Sequence, residues 1–309
     1  MSENTNTTKR RSAIQIMGSL IGLVKPLLHI MLAAIILGTL GYLCAIFLTI
    51  LAGQVIMHGL LTGVAGMIVP VDNMWRVFTP VKTIITVMIV IAVLRGILHY
   101  VEQYCNHFIA FKLLAIIRHK VFAALRKLCP AKLEGRDKGN LISIITTDIE
   151  LLEVFYAHTI SPIAIATLTS IIMVIFIGRY HWLAGVIALV AYLIVGVVIP
   201  MWNGKRGSQK GMEFRTNFGE LNSFVLDSLR GLDETIQYGQ GEKRKEQMSE
   251  HSKNLAGMQE SLSKMEGSQR SFTNMVILLA SFGMLALTIW LYDKGAMGFE
   301  GILTCTIAM

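Results

Sequence analysis

Between residues 94 and 108 the sequence LRGILHYVEQYCNHF sets Arg95, His99, Glu102 and Asn106 at intervals of four, three and four. At 100° per residue they fall within about 60° of one another, so a helix would carry them as one polar stripe. Arginine offers a permanently charged planar fork that matches a carboxylate, histidine titrates near neutrality, and a glutamate accepts an ammonium. Such a set suits a small zwitterionic or anionic solute. The competing reading is that the groups satisfy one another at i+3 and i+4 and hold neighbouring helices together.

Both readings forbid the stripe from facing lipid. Twelve uncharged, mostly apolar residues, Thr83 to Leu94, precede it. A helix entering the membrane near Val81 brings Arg95 roughly 20 Å deep by its rise. An arginine on the lipid face at such depth costs about 2.5 to 3.5 kcal/mol even on the gentler insertion scales. The stripe is therefore expected to line the bundle interior or a water-filled cavity.

The elements that must hold it are membrane helices. Of 309 residues, 53% are hydrophobic and only 16% charged, and the mean hydropathy is +0.58, outside the range of ordinary soluble domains. Six prolines and a near absence of alternating apolar and polar runs favour long helices over a β-barrel, giving an all-α membrane protein. The net charge of +8 flanks hydrophobic spans with no basic globular block, which excludes nucleic acid as a partner and leaves membrane lipid. Cys44, Cys105, Cys129 and Cys305 lie on separate segments without C-x-x-C spacing, so they read as packing residues.

Spans are expected at about 30–53, 81–103, 159–178, 182–203 and 271–292, with the start of a sixth at 301–309; about 20 apolar residues cross the hydrocarbon core. Residues 1–26 read as a cytoplasmic tail and an interfacial elbow helix, because Ile14, Met17, Leu20, Ile21 and Val24 recur at helical spacing behind a basic cluster. With the N-terminus inside, Arg76, Lys82, Arg179 and Lys294 fall outside, Arg95 lies within a span, and the other 23 of 28 lysines and arginines face the cytoplasm of a plasma-membrane protein.

The inner connections are too long and too regular to be loops. No proline interrupts Lys82 to Leu128, and 47 helical residues would reach roughly 70 Å, more than twice the bilayer core. Cys129-Pro130 breaks the helix, AKLEGRDKG turns, and a helical pattern climbs back through Ile144, Ile149, Leu152 and Phe155. In the second half Phe214, Phe218, Leu221, Val225 and Leu229 prolong another span, GLDETIQYGQG turns at 231–241, and a charged helix returns.

This plan resembles the transmembrane domain of exporter-type ABC half-transporters, and within them the CydC-like subunits of thiol-reductant exporters of cytochrome bd assembly. The likeness rests on Arg95, Tyr100-Val101-Glu102, His107, Phe111-Lys112-Leu113-Leu114, Arg118, Pro130-Ala131, Gly139-Asn140-Leu141, Asp148, Leu152 and Pro162. It departs at Gln103, where the family often has arginine, and at Phe108, where it has aspartate. The resemblance implies a six-helix fold with long intracellular extensions, the sixth helix truncated here, and export of a thiol such as cysteine or glutathione. It also implies pairing with a second half-transporter, CydD-like, in a heterodimer, and a nucleotide-binding domain that holds ATP and Mg.

No G-x-x-x-x-G-K-[ST] loop occurs in the 309 residues, so the chain reads either as a fragment cut inside its sixth helix or as a permease whose motor is supplied separately. The resemblance casts Lys132, Glu134, Arg136 and Asp137, and then Asp233, Glu234, Gln237 and Tyr238, as coupling residues that dock on the nucleotide-binding domains. It puts His107 where the family's haem-associated histidine stands. His99 cannot share its iron, since eight residues separate them by about 12 Å along the axis. Export of haem, lipid or peptide, a membrane haem or electron carrier, and a receptor's membrane domain are the other readings.

Overall fold

The structure, a computed structural model, describes residues 18, 22, 25–63, 81–128 and 149–309. Most of the expected elbow region, and the coupling residues Lys132, Glu134, Arg136 and Asp137, lie outside them. Among the described residues there are helices and turns but no strand. The helices are α1 (Leu28–Gly63), α2 (Val81–Leu128), α3 (Ile149–Phe155), α4 (Ser161–Gly178), α5 (Trp182–Leu193), α6 (Ile199–Arg230), α7 (Leu232–Gln237), α8 (Gly241–Asp293) and α9 (Phe299–Ala308). Among the described residues five stretches are long and apolar enough to cross a membrane: Lys25–Met57, Lys82–Leu128, Tyr156–Gly178, Trp182–Arg230 and Gly241–Asp293. α9 is a shorter apolar helix.

The expected uninterrupted helix is present: α2 runs for 48 residues, and its last turn carries Arg126 and Lys127, which complement the helix dipole. α8 is longer still, at 53 residues.

Two π turns were not anticipated. Tyr156–Ile160 joins α3 to α4, and Ile194–Val198 joins α5 to α6. Each ends two residues before a proline, Pro162 and Pro200. A proline ring inside a helix collides with the carbonyl four residues back, here that of His158 or Gly196, and its nitrogen cannot donate. Widening one turn moves that carbonyl aside and lets the span continue without a break.

The chain forms two compact units, the boundary falling inside α4 at Ile175 and Phe176. In the first unit α1 lies along α2, and α2 is also packed by α3 and the π turn. Its core joins Leu27, Ile109, Leu113 and Tyr156, bordered by Ile30, Met31, Leu152, Phe155 and Ile160. Beyond this core an Arg118 to Glu150 ion pair at 3.1 Å ties α2 to α3.

In the second unit α8 packs against α5 and α6. His181 caps α5, its Nδ1 accepting from the Leu183 N–H at 3.2 Å. The α6 to α8 hairpin turns through α7, a six-residue helix where the sequence showed a glycine-punctuated turn. Gly239, at φ +64°, makes the left-handed step back into α8.

Candidate functional site

α2 holds the polar stripe, and contacts with α1 and α4 divide it. Gly41 of α1 stands where an added Cβ would lie 3.7 Å from Leu98 Cβ and 3.9 Å from the His99 nitrogen, so the two helices run close at this level. Three residues earlier Gly38 is tighter: a Cβ there would run into the Ile165 side chain and come within 3.1 Å of Glu102 Cγ. The absent side chain at Gly38 is what admits both α4 and the glutamate.

Glu102, 3% exposed, is thereby buried among helices. Its Oε1 accepts from Asn106 Nδ2 at 2.5 Å, and its Oε2 accepts from Gln103 Nε2 at 3.1 Å. His99 Nδ1 stands 3.2 Å from the same Oε2. A carboxylate removed from water needs such donors, because an unsatisfied buried charge is far more costly than an unsatisfied amide. Asn106 is equally buried, and its Oδ1 has no hydrogen-bond partner among the described residues.

The other half of the stripe is open. The His99 side chain is 61% exposed, and with Arg95 it lines a cleft of about 180 Å³ whose far wall is Gly38, Gly41, Tyr42 and Ala45 of α1. Arg95 makes no ion pair among the described residues. Glycine and alanine make the α1 wall recede, so the cleft presents one guanidinium, one imidazole and a phenol against an otherwise small-residue surface. Such a set of donors can receive an anionic group, with the Glu102 carboxylate 3.2 Å from the His99 ring behind it.

The stripe thus divides into an open half, Arg95 and His99, and a buried half, Glu102 and Asn106. Sequence spacing placed all four on one face but carried no sign of this division, which depends on Gly38 and Ile165, residues remote in sequence. Glu102 cannot itself meet a solute's ammonium while both oxygens are engaged inside the helix packing.

His107 lies one turn on, half-buried, its ring 6.2 Å from Phe111 and 6.0 Å from His158 on the π turn. His158 went unnoticed in the sequence; the proline four residues later, which distorts its turn, was the available signal. In the second hairpin Asp233, Glu234 and Gln237 lie on α7, with Tyr238 at its C-terminal end. α7 is exposed, and Leu232, Ile236 and Tyr238 present apolar surface to solvent around its carboxylates. No cluster of three or more metal-ligating side chains occurs among the described residues.

Comparison with known proteins gives these features a context. Residues 27–309 match the ABC transporter transmembrane region family. A probable ABC transporter ATP-binding/permease protein of Haemophilus influenzae is 38% identical over 303 residues, 97% of this chain and 52% of that protein. A glutathione/L-cysteine transport system ATP-binding/permease protein, CydD, of Bacillus subtilis is 22% identical over 166 residues, 53% of this chain and 28% of that protein. An ATP-dependent lipid A-core flippase of Shewanella denitrificans is 25% identical over 146 residues, 47% of this chain and 24% of that protein. The chain therefore spans about half the length, or less, of these curated relatives.

Proposed function

Because the chain belongs to the ABC transporter transmembrane region family, we propose that it is the membrane-spanning half of an ATP-driven exporter that moves a small thiol such as cysteine or glutathione out of the cytoplasm. The observation that carries the substrate class is the cleft in which Arg95 and His99 face small α1 residues. Arg95 binds the solute's carboxylate as a charge-assisted pair. His99 adds a second donor whose ring is set by Glu102, and Asn106 completes the support from behind.

A distant relative named as a glutathione/L-cysteine transporter supports the thiol reading, and one named as a lipid A-core flippase supports a lipid instead. The small volume of the cleft favours the solute, since a lipid would place only part of its headgroup there.

In this reading the membrane placement is that of a plasma-membrane protein with its N-terminus in the cytoplasm, so the extensions of α2, α6 and α8 project into the cytosol. Exposed Leu232, Ile236 and Tyr238, flanked by Asp233, Glu234 and Gln237, dock on a nucleotide-binding domain that carries ATP and Mg. The rigid α6 and α8 then pass its closure to the spans as a rigid-body motion. The motor is not encoded by a P-loop within these residues, and the partner half is a second, CydD-like chain.

The test is ATP-dependent uptake of labelled cysteine or glutathione into inverted vesicles holding the complete transporter. Arg95→Ala should lower uptake about ten- to a hundredfold, the value of a lost charge-assisted hydrogen bond. Unchanged uptake would remove the assignment, and movement of a labelled lipid with no thiol uptake would replace it.

One observation favours haem as a ligand of the same chain. His107 of α2 and His158 of the π turn bring two imidazoles to 6.0 Å between ring centres, and imidazole is a ligand of haem iron. His107 and His158 are the residues that would hold the group, through their imidazole nitrogens. Bound there, the group would supply one-electron chemistry. Loss of a Soret band in both His107→Ala and His158→Ala supports the pair; a band that survives either change excludes it.

A further inference from the structure

α6 and α8 of the second unit change character at one level. On the π turn and α6 the exposed residues Val197, Val198 and Met201 are apolar and the chain turns basic at Lys205 and Arg206; on α8 the exposed Met275, Leu278 and Leu279 give way to Arg270. Trp202 and Phe272 meet edge to face at 6.3 Å, which sets the two boundaries level. Just beyond them Gly207 leaves 3.3 Å between an added Cβ and Met265 Cε, so the helices are close where the charges begin.

At that level most cations are already occupied. Arg270 pairs with Glu266 at 3.0 Å, Lys264 with Glu260 at 2.6 Å, and Lys210 donates to Ser261 Oγ at 3.2 Å. Arg206 is different. Its guanidinium lies 4.6 Å from the centre of the Trp202 ring and has no carboxylate among the described residues. Lys205, three residues from Trp202, is exposed beside it, also without a carboxylate there. Arginine stacked on an indole keeps its outward N–H groups free and held in one plane, and an indole half in apolar and half in polar surroundings belongs at the membrane interface.

We propose that Arg206, Lys205 and the Trp202 indole form a binding site for the phosphate of an anionic phospholipid, whose acyl chains lie along Val198 and Met201. The guanidinium and the ammonium sit where a headgroup phosphate is found, and the exposed apolar surface of α6 begins one turn away. The site rests on the membrane placement argued above but not on the choice of solute, so loss of thiol transport would leave it standing.

The test uses the complete transporter in nanodiscs, with Trp75, Trp182 and Trp290 and every tryptophan of the partner half and the motor domains replaced by phenylalanine so that Trp202 reports alone. Brominated phosphatidylglycerol should quench it with an apparent association about fivefold above brominated phosphatidylcholine at low salt, the ratio that about 1 kcal/mol of headgroup preference gives. Arg206→Gln should bring the ratio to about one and Arg206→Lys should keep part of it; Lys205→Gln, a second and independent exposed change, should lower it about twofold. Lys253→Gln, far along α8 from the boundary, should leave it unchanged. Equal quenching by the two lipids would overturn the site. So would a preference that survives Arg206→Gln, since that would reflect only the general charge of the surface, or one abolished equally by Lys253→Gln.

Discussion

α2 and the α6 to α8 hairpin handle charge in opposite ways. In the second unit α8 holds no lysine, arginine, histidine, aspartate or glutamate from Phe272 to Tyr292, and on α6 the charges begin only past Trp202. α2 instead carries Arg95, His99 and Glu102 inside an apolar stretch. The cost is met locally, by Gly38 and Gly41 opening α1 and by hydrogen bonds closing around Glu102. Structural need alone explains α6 and α8, which require only a wet end and a dry one. It does not explain Arg95, which joins none of these internal bonds among the described residues, and that difference is why the proposed function assigns solute contact to α2.

The comparison is most easily broken at Glu102. Glu102→Ala would leave Asn106 and His99 without their acceptor inside packed helices, and should cost about 2 to 3 kcal/mol of stability, read as a lowered Tm of the reconstituted protein. An unchanged Tm would mean the buried half is wet. Gly38→Leu should cost about 1 to 3 kcal/mol by overpacking against Ile165 and Glu102, whereas Gly41→Ala makes only ordinary contacts and should be near neutral; equal effects would refute the proposed division of the stripe.

In the second unit Gly239→Val forces a β-branched residue into the left-handed region, and should cost about 1 to 2 kcal/mol, seen as faster hydrogen exchange around α7. Arg118→Ala removes an exposed ion pair and should change stability by less than about 1 kcal/mol, with that small effect vanishing in high salt.

Much of the architecture could be read from the chain because membrane helices are specified by local composition. Residues 82–128 hold no proline and few breaks in their apolar rhythm, and α2 covers them whole. The π turns escaped because a widened turn leaves the hydrophobic period nearly intact; only Pro162 and Pro200 pointed to them. The stripe's common face followed from its spacing, yet its division into buried and open halves did not, because Gly38 and Ile165 reach Glu102 only through tertiary packing. His158 stands 51 positions from His107, and nothing local pairs them.

The central claim is that the Arg95 and His99 face of α2 borders water within the membrane while the opposite face does not. Single cysteines at positions 95, 99, 93 and 97, in a transporter whose Cys44, Cys105, Cys129 and Cys305 are replaced by serine, would be challenged with a membrane-impermeant thiol reagent. Rapid labelling at 95 and 99 with none at 93 and 97 is the expected result. Labelling at 93 and 97 with 95 and 99 protected would show the stripe turned away from water, and the account would fail.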